Sequence, residues 1–207
     1  MSVLGKLASS LNRRDEVPNL ELAKEIAENK NEEAVKELVI NLGNKNKKIQ
    51  NDCIKVLYEI GALQPKLIVD YLNDFIALLE SKNNRLQWGV MTAIDTITLE
   101  TPKEVYASLT KIIKAAEKGS VITKDHAIGI LIKLCMIKQY ADDAFLLLNE
   151  QLQVSPTNQL PMYAEKAMPI INNSNKNLFI KTLTSRLEDI EKDTKRKRVE
   201  KVIKKCS

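Results

Sequence analysis

A repeat of 37 residues runs through nearly all of this 207-residue chain. One column of the repeat reads Ile49, Leu86, Thr123 and Leu160. Others read Cys53, Val90, Ala127, Ala164; Val56, Ala93, Ile130, Ala167; Leu57, Ile94, Leu131, Met168; and Ile60, Ile97, Leu134, Ile171. Within a copy these columns lie at offsets of 0, 4, 7, 8 and 11, the spacing of one face of an α-helix. A fixed period of this length marks a stacked helical array, in which no unit buries its apolar face alone.

The first half of each copy keeps the same beat. Val35, Leu72, Leu109, Leu146 and Leu183 are spaced by 37, as are Val39, Ile76 and Ile113, and Leu42, Leu79 and Ala116. Each unit therefore holds two amphipathic helices, A and B. The spacing predicts A and B near 31–42 and 46–62, 65–80 and 83–99, 102–117 and 120–137, and 139–152 and 157–173. Asn46, Asn83, Ser120 and Thr157 stand three residues before the first column of each B helix, where a side-chain oxygen can accept from orphan backbone N–H groups. Pro65 and Pro102 fall where A helices begin, a position at which the missing N–H costs nothing. The expected organisation is a single domain: a divergent N-terminal cap over 1–30, four regular repeats over 31–173, and a C-terminal cap with a basic tail over 174–207. The N-terminal stripe Val3, Leu4, Leu7, Ala8, Leu11 reads as the start of the capping helix pair.

Composition agrees with an all-α chain. Aromatic residues make up 4%, while Leu, Ile, Ala, Lys and Glu are abundant, and no stretch alternates with period two as a strand would. Cys53, Cys135 and Cys206 are too few and too scattered for a disulfide framework or a zinc site, and Cys53 falls in a core column. Lys6, Ser9 and Ser10 interrupt the only N-terminal apolar stretch, so no signal core is expected there; apolar runs fall well short of bilayer length, and a cytoplasmic location is expected. From Lys192 onward eight bases face two acids. That stretch carries +6 against a net +5 for the whole chain, so the remainder is at −1 and the basicity belongs to the tail.

The two-helix unit, its length, and the apolar–three–small–three–apolar pattern of helix B resemble the HEAT/armadillo-like repeat family over about residues 31 to 191. The resemblance implies a right-handed α-solenoid of about five to six helix pairs. HEAT units often carry an Asp in the turn and an Arg early in helix B, forming a ladder along the stack. Here those columns read Asn46, Asn83, Ser120, Thr157 and Gln50, Gln87, Lys124, Pro161. A neutral hydrogen-bonding ladder is the expected replacement.

Residues that could carry chemistry are sparse. His126, the single histidine, lies on helix B of the third unit with no second ligand at metal spacing and reads as a surface or groove residue. Neither a glycine-rich phosphate loop nor the H-E-x-x-H or G-x-S-x-G pattern occurs. Adjacent acids such as Asp142–Asp143 point about 100° apart on a helix and do not converge. Catalysis, cofactor and metal are therefore not expected.

Trp88 is the only tryptophan, and its column, Asn51, Trp88, Asp125, Met162, is otherwise mostly polar. Trp88 and Asp95 share one helical face, with Lys55 and Tyr58 on the first unit and Lys166 on the fourth at similar outward offsets. Either Trp88 packs between units or this face binds a protein partner, for which Trp and Tyr are favoured anchors. The expected role is a non-catalytic scaffold whose B helices form a concave surface. The alternative is nucleic-acid binding through the tail bases Lys195, Arg196, Lys197 and Arg198. A concave Trp–Asp pair is similar to that of alkylpurine DNA glycosylases of HEAT-like fold, but those use several aromatic and basic residues around a DNA groove. A third reading, an auxiliary subunit resembling some HEAT-like lyase subunits, rests on the fold alone.

Overall fold

The computed structural model describes residues 2–207. Among these residues the protein is all-α: twelve α-helices, joined by turns and short 3-10 segments, with no strand. The helices are α1 (Val17–Asn29), α2 (Glu32–Ile40), α3 (Lys47–Leu63), α4 (Leu72–Leu78), α5 (Asn84–Ile97), α6 (Pro102–Ala107), α7 (Leu109–Lys118), α8 (Val121–Cys135), α9 (Ala141–Val154), α10 (Leu160–Ala167), α11 (Lys176–Ser185) and α12 (Asp193–Cys206). The chain forms two compact units, Met1–Ala127 and Ile128–Ser207, with the boundary inside α8.

In the first unit α3 packs against α1, α2 and α5. Asn46 caps α3 by accepting from the Lys48 N–H at 3.0 Å, and Asn83 accepts from the Leu86 N–H at the start of α5. The Ser120 hydroxyl accepts from the Thr123 N–H at 3.4 Å as α8 begins. Pro65 opens a 3-10 turn and Pro102 opens α6. Cys53, Val56, Leu57 and Ile60 on α3 and Val90, Ala93, Ile94 and Ile97 on α5 are wholly buried, so the core columns face inward. Gly89 lets these two helices close up: a Cβ there would stand 2.7 Å from Ile54 Cγ1. Gly61 makes a second such contact with Thr96 and Ile68.

Several helices are shorter than the sequence predicts. The N-terminal stripe is not a helix but a 3-10 turn, Leu4–Lys6, with Val3, Leu7 and Ala8 buried and Leu11 half-exposed. The chain then reverses at Asn12, whose φ of 54° is left-handed, and the Arg13 N–H closes on the Ala8 carbonyl at 2.9 Å. The A helix predicted over 65–80 consists of 3-10 turns Pro65–Leu67 and Val69–Tyr71 before α4, with Ile68 buried against Gly61. The A helix predicted over 102–117 breaks at Ser108 into α6 and α7.

A hydrogen-bonded cluster ties the N-terminal turn to α1 and α3. Fully buried Asn19 accepts from the Ala8 N–H at 3.0 Å and donates to Asp52 at 3.0 Å. Asp52 also accepts from the Ser9 N–H at 2.8 Å. The buried side chains of Asn19 and Asp52 are thus both partnered, as burial demands.

In the second unit α9 packs on α10 and α11, and α12 packs on α10 and α11. Ile130, Leu131 and Leu134 of α8 are wholly buried. Three periodic expectations fail here. Leu146 is 52% exposed, and α9 buries Ala144, Phe145, Leu148 and Leu152 instead, so its buried face is not the one the period predicts. Thr157 does not cap a B helix, because α10 starts only at Leu160, after a turn in which the Gln159 N–H reaches the Pro156 carbonyl. Pro161 sits in the first turn of α10 as expected. The helix ends at Ala167, and Met168 and Ile171 are only half-buried, since Pro169 takes the chain into a 3-10 turn. Buried Arg186 closes the C-terminus of α9 by donating to the carbonyls of Leu152, Gln153 and Ser155, and it pairs with Asp189 at 2.6 Å.

Candidate functional site

The most distinctive side chains of the first unit meet where α3 lies beside α5. Trp88, in the second turn of α5, is half-buried and faces Tyr58 of α3, with ring centroids 5.8 Å apart and planes inclined by 48°. This tilt suits the aromatic quadrupoles. Lys55, one turn before Tyr58, holds its ammonium 4.8 Å from the centre of the Tyr58 ring and 2.6 Å from Glu59. Burial alone would pull the Lys55 ammonium down, but Glu59 and the Tyr58 hydroxyl outweigh it and leave its pKa above the ordinary value. Burial raises the Tyr58 phenol, against the opposing pull of Lys55.

Two turns along α5 from Trp88, Asp95 presents Oδ2 at 2.8 Å from His126 Nδ1 on α8. The carboxylate accepts and the imidazole donates. His126 is therefore held in one orientation by a residue 31 positions earlier in the chain.

The structure brings together three of the proposed partner-binding residues, Lys55, Tyr58 and Trp88, and places Asp95 on the same helix as Trp88. Lys166 belongs to the second unit, exposed on α10. The ladder columns make one rung between α3 and the turn before α5, where the Asn83 amide donates to both Gln50 and Asn51 at 2.9 Å. Gln87 turns instead to the Leu79 carbonyl at 2.8 Å.

The tail bases are engaged within the second unit. Arg198 makes a two-pronged pair with Glu165 at 2.6 and 2.8 Å, which holds that carboxyl below its usual range. Lys195 donates to Asn158 Oδ1 at 2.6 Å, Arg196 to the Ile190 carbonyl, and Lys197 pairs with Asp193 at 2.7 Å. Val199 and Val202 seat α12 on its unit.

Sequence reading missed the Asn19–Asp52 cluster, the Asp95–His126 pair and Arg186. The first two share a signal: Asp52, Gly89, His126 and Tyr163 form one column of the repeat, so residues of that column point alike. Among the described residues no group of three or more His, Cys, Asp or Glu side chains is arranged to hold a metal ion. Among the same residues no helix is long and apolar enough to cross a membrane.

No family model matches the chain, and neither does any curated protein. Solved structures similar to it include two crystal structures of engineered proteins from the Northeast Structural Genomics Consortium. Target OR366 shares 21% identity at a TM-score of 0.61, covering 99% of this chain and 100% of that one. Target OR329 shares 18% identity at a TM-score of 0.59, covering 100% of this chain and 98% of that one. At these identities the likeness is one of fold.

Proposed function

We propose that this chain is a non-catalytic protein-interaction module: a right-handed α-solenoid of about five to six helix pairs, of HEAT/armadillo-like type with a 37-residue period, that takes a protein partner on the surface of its B helices around Trp88. One observation carries the reading. The only tryptophan is partly exposed and forms with Tyr58 and Lys55 an aromatic platform bordered by charge. Large amphipathic side chains held in place by their neighbours are what a binding hot spot requires, because little side-chain freedom is lost when the partner arrives. The repeat itself is supported by the buried columns of α3 and α5 and by the Asn83–Gln50 rung.

Nucleic-acid binding is the weaker reading, since the four tail bases that would carry it are already held by Glu165, Asn158, Ile190 and Asp193. Capture from native lysate, with and without nuclease, separates the two. The proposal expects a protein retained after nuclease treatment and unaffected by neutralising the exposed Lys201, Lys204 and Lys205. Recovery that collapses under either treatment would transfer the function to nucleic acid.

A further inference from the structure

Helix α9 turns outward a residue that the repeat buries elsewhere. Its column reads Val35, Leu72, Leu109, Leu146 and Leu183, and every member is buried except Leu146. Leu146 stands in an i, i+4 line with Asp142, Glu150 and Val154, all exposed, Val154 by 71%. The helix carries three carboxylates and no base. Among the described residues Asp142 and Glu150 have no hydrogen-bond or ion-pair partner. The line of acid, leucine, acid and valine contributes nothing to the core of its own unit.

A complementary surface lies on the first unit. A groove of about 510 Å³ runs between α4 and α7. Its floor is kept open by the small side chains of Ala77 and Ala115, and Lys111, Lys114 and Lys118 follow its edge along α7. Their aliphatic stems extend the apolar wall while the ammoniums stay at the rim. Glu80 is the one carboxylate of this lining, and Lys114 already bridges it at 3.5 Å. Lys111 and Lys118 are exposed and, among the described residues, without a hydrogen-bond or ion-pair partner. The groove therefore has cations in excess, as α9 has carboxylates. The two also match in length. Lys111 and Lys118 stand about 10 Å apart along their helix, and Asp142 and Glu150 about 12 Å apart along theirs. With the helices antiparallel, as their dipoles favour, Asp142 meets Lys118 and Glu150 meets Lys111. Leu146, midway between the acids, then enters the hollow over Ala77 and Ala115. We infer that the α4–α7 groove receives the Asp142–Val154 stripe of a second copy of this chain. Each copy carries both halves, so copies join head to tail, in a closed assembly or an open chain.

The test is sedimentation equilibrium of the full-length protein at low ionic strength, from micromolar to millimolar concentration. The expected result is an average mass that rises above one chain as concentration increases. The groove variant Lys111→Glu, Lys118→Glu and the stripe variant Asp142→Lys, Glu150→Lys should each self-associate roughly tenfold or more weakly, because like charges then face each other. Mixed in equal amounts they should associate again, since the reversed groove meets the reversed stripe. Leu146→Ala, which leaves every charge in place, should weaken association as well. All five positions are exposed, and circular dichroism checks the helical content of each variant. A parent that stays monomeric into the millimolar range overturns the assignment. So does self-association that the Leu146 variant or either reversed variant retains in full, or a mixture of the two reversed variants that stays apart. Trp88 is untouched throughout, so this result and the partner-capture result stand separately.

Discussion

Trp88 of α5 leans on Tyr58 of α3 across 5.8 Å, and Lys55 reaches over the same tyrosine ring from one turn away. The contact joins α3 to α5, yet Trp88 keeps part of its surface in solvent. It therefore packs between two helices while one part of the ring stays accessible. The pair contributes about 0.5–1.5 kcal/mol beyond its buried area, too little to make the platform indispensable for folding.

The close approach of α3 and α5 rests on Gly89. Adding a methyl places Cβ 2.7 Å from Ile54, whose branched side chain cannot swing aside. Overpacking costs about 1–3 kcal/mol, partly offset by the better helix propensity of alanine, about 1 kcal/mol. Gly89→Ala should lower the urea midpoint by the equivalent of about 1 kcal/mol, whereas Gly43→Ala, with nothing within 4 Å, should leave it unchanged. Equal midpoints for both variants would show that the helices do not touch there.

Two leucines in core columns of the repeat have opposite fates. Leu131 is wholly buried and Leu146 is 52% exposed. Leu131→Ala should cost about 2–5 kcal/mol. Leu146→Ala should stay within about 0.5 kcal/mol of the parent, as exposed substitutions do. Thermal denaturation of both variants checks which face α9 buries: a large loss at Leu146 would restore the regular register that the structure departs from.

Arg186 supplies donors to three carbonyls at the end of α9 from a buried position. Arg186→Leu leaves those acceptors unmet and should destabilise by on the order of 3 kcal/mol. Arg198→Leu breaks only an exposed pair with Glu165 and should cost less than about 1 kcal/mol. Chemical denaturation that ranks Arg198 above Arg186 would contradict this assignment.

Burial, reinforced by Asp52 and Glu37, pushes the Cys53 thiol up to about 12, and burial pushes Cys135 to about 12 as well. Both remain protonated at pH 8 and should resist alkylation in the native state, while half-exposed Cys206 is modified first. The sign of the pH dependence follows. Between the ordinary thiol pKa and about 12 the unfolded chain has released protons that the folded chain retains, so stability falls as pH rises through that window. Mass spectrometry of native protein labelled at pH 8 decides the order; Cys53 modified before Cys206 would show that α3 does not bury its thiol.

Much of the helical plan was legible because the 37-residue beat repeats one physical requirement, an apolar face for each helix. The columns through Cys53, Val56, Leu57 and Ile60 point inward in α3 and α5. The beat fails where a local constraint overrides it: Pro169 after α10, the insertion of Ile68 against Gly61, and Ser108 between α6 and α7. Of the candidate surface, residue types and helical faces gave the membership of Lys55, Tyr58 and Trp88. The pairings Asn19–Asp52 and Asp95–His126 were not legible, because each joins polar atoms more than thirty residues apart through the rotation of packed helices, which a period does not specify.

The most direct measurement is a quantitative comparison of proteins captured from native lysate by the parent chain, Trp88→Ala and Lys55→Glu, each shown by circular dichroism to keep its helical content. The account predicts at least one nuclease-resistant protein bound by the parent and lost from both variants. Identical capture by all three folded proteins would contradict the claim that the Trp88 surface binds a partner.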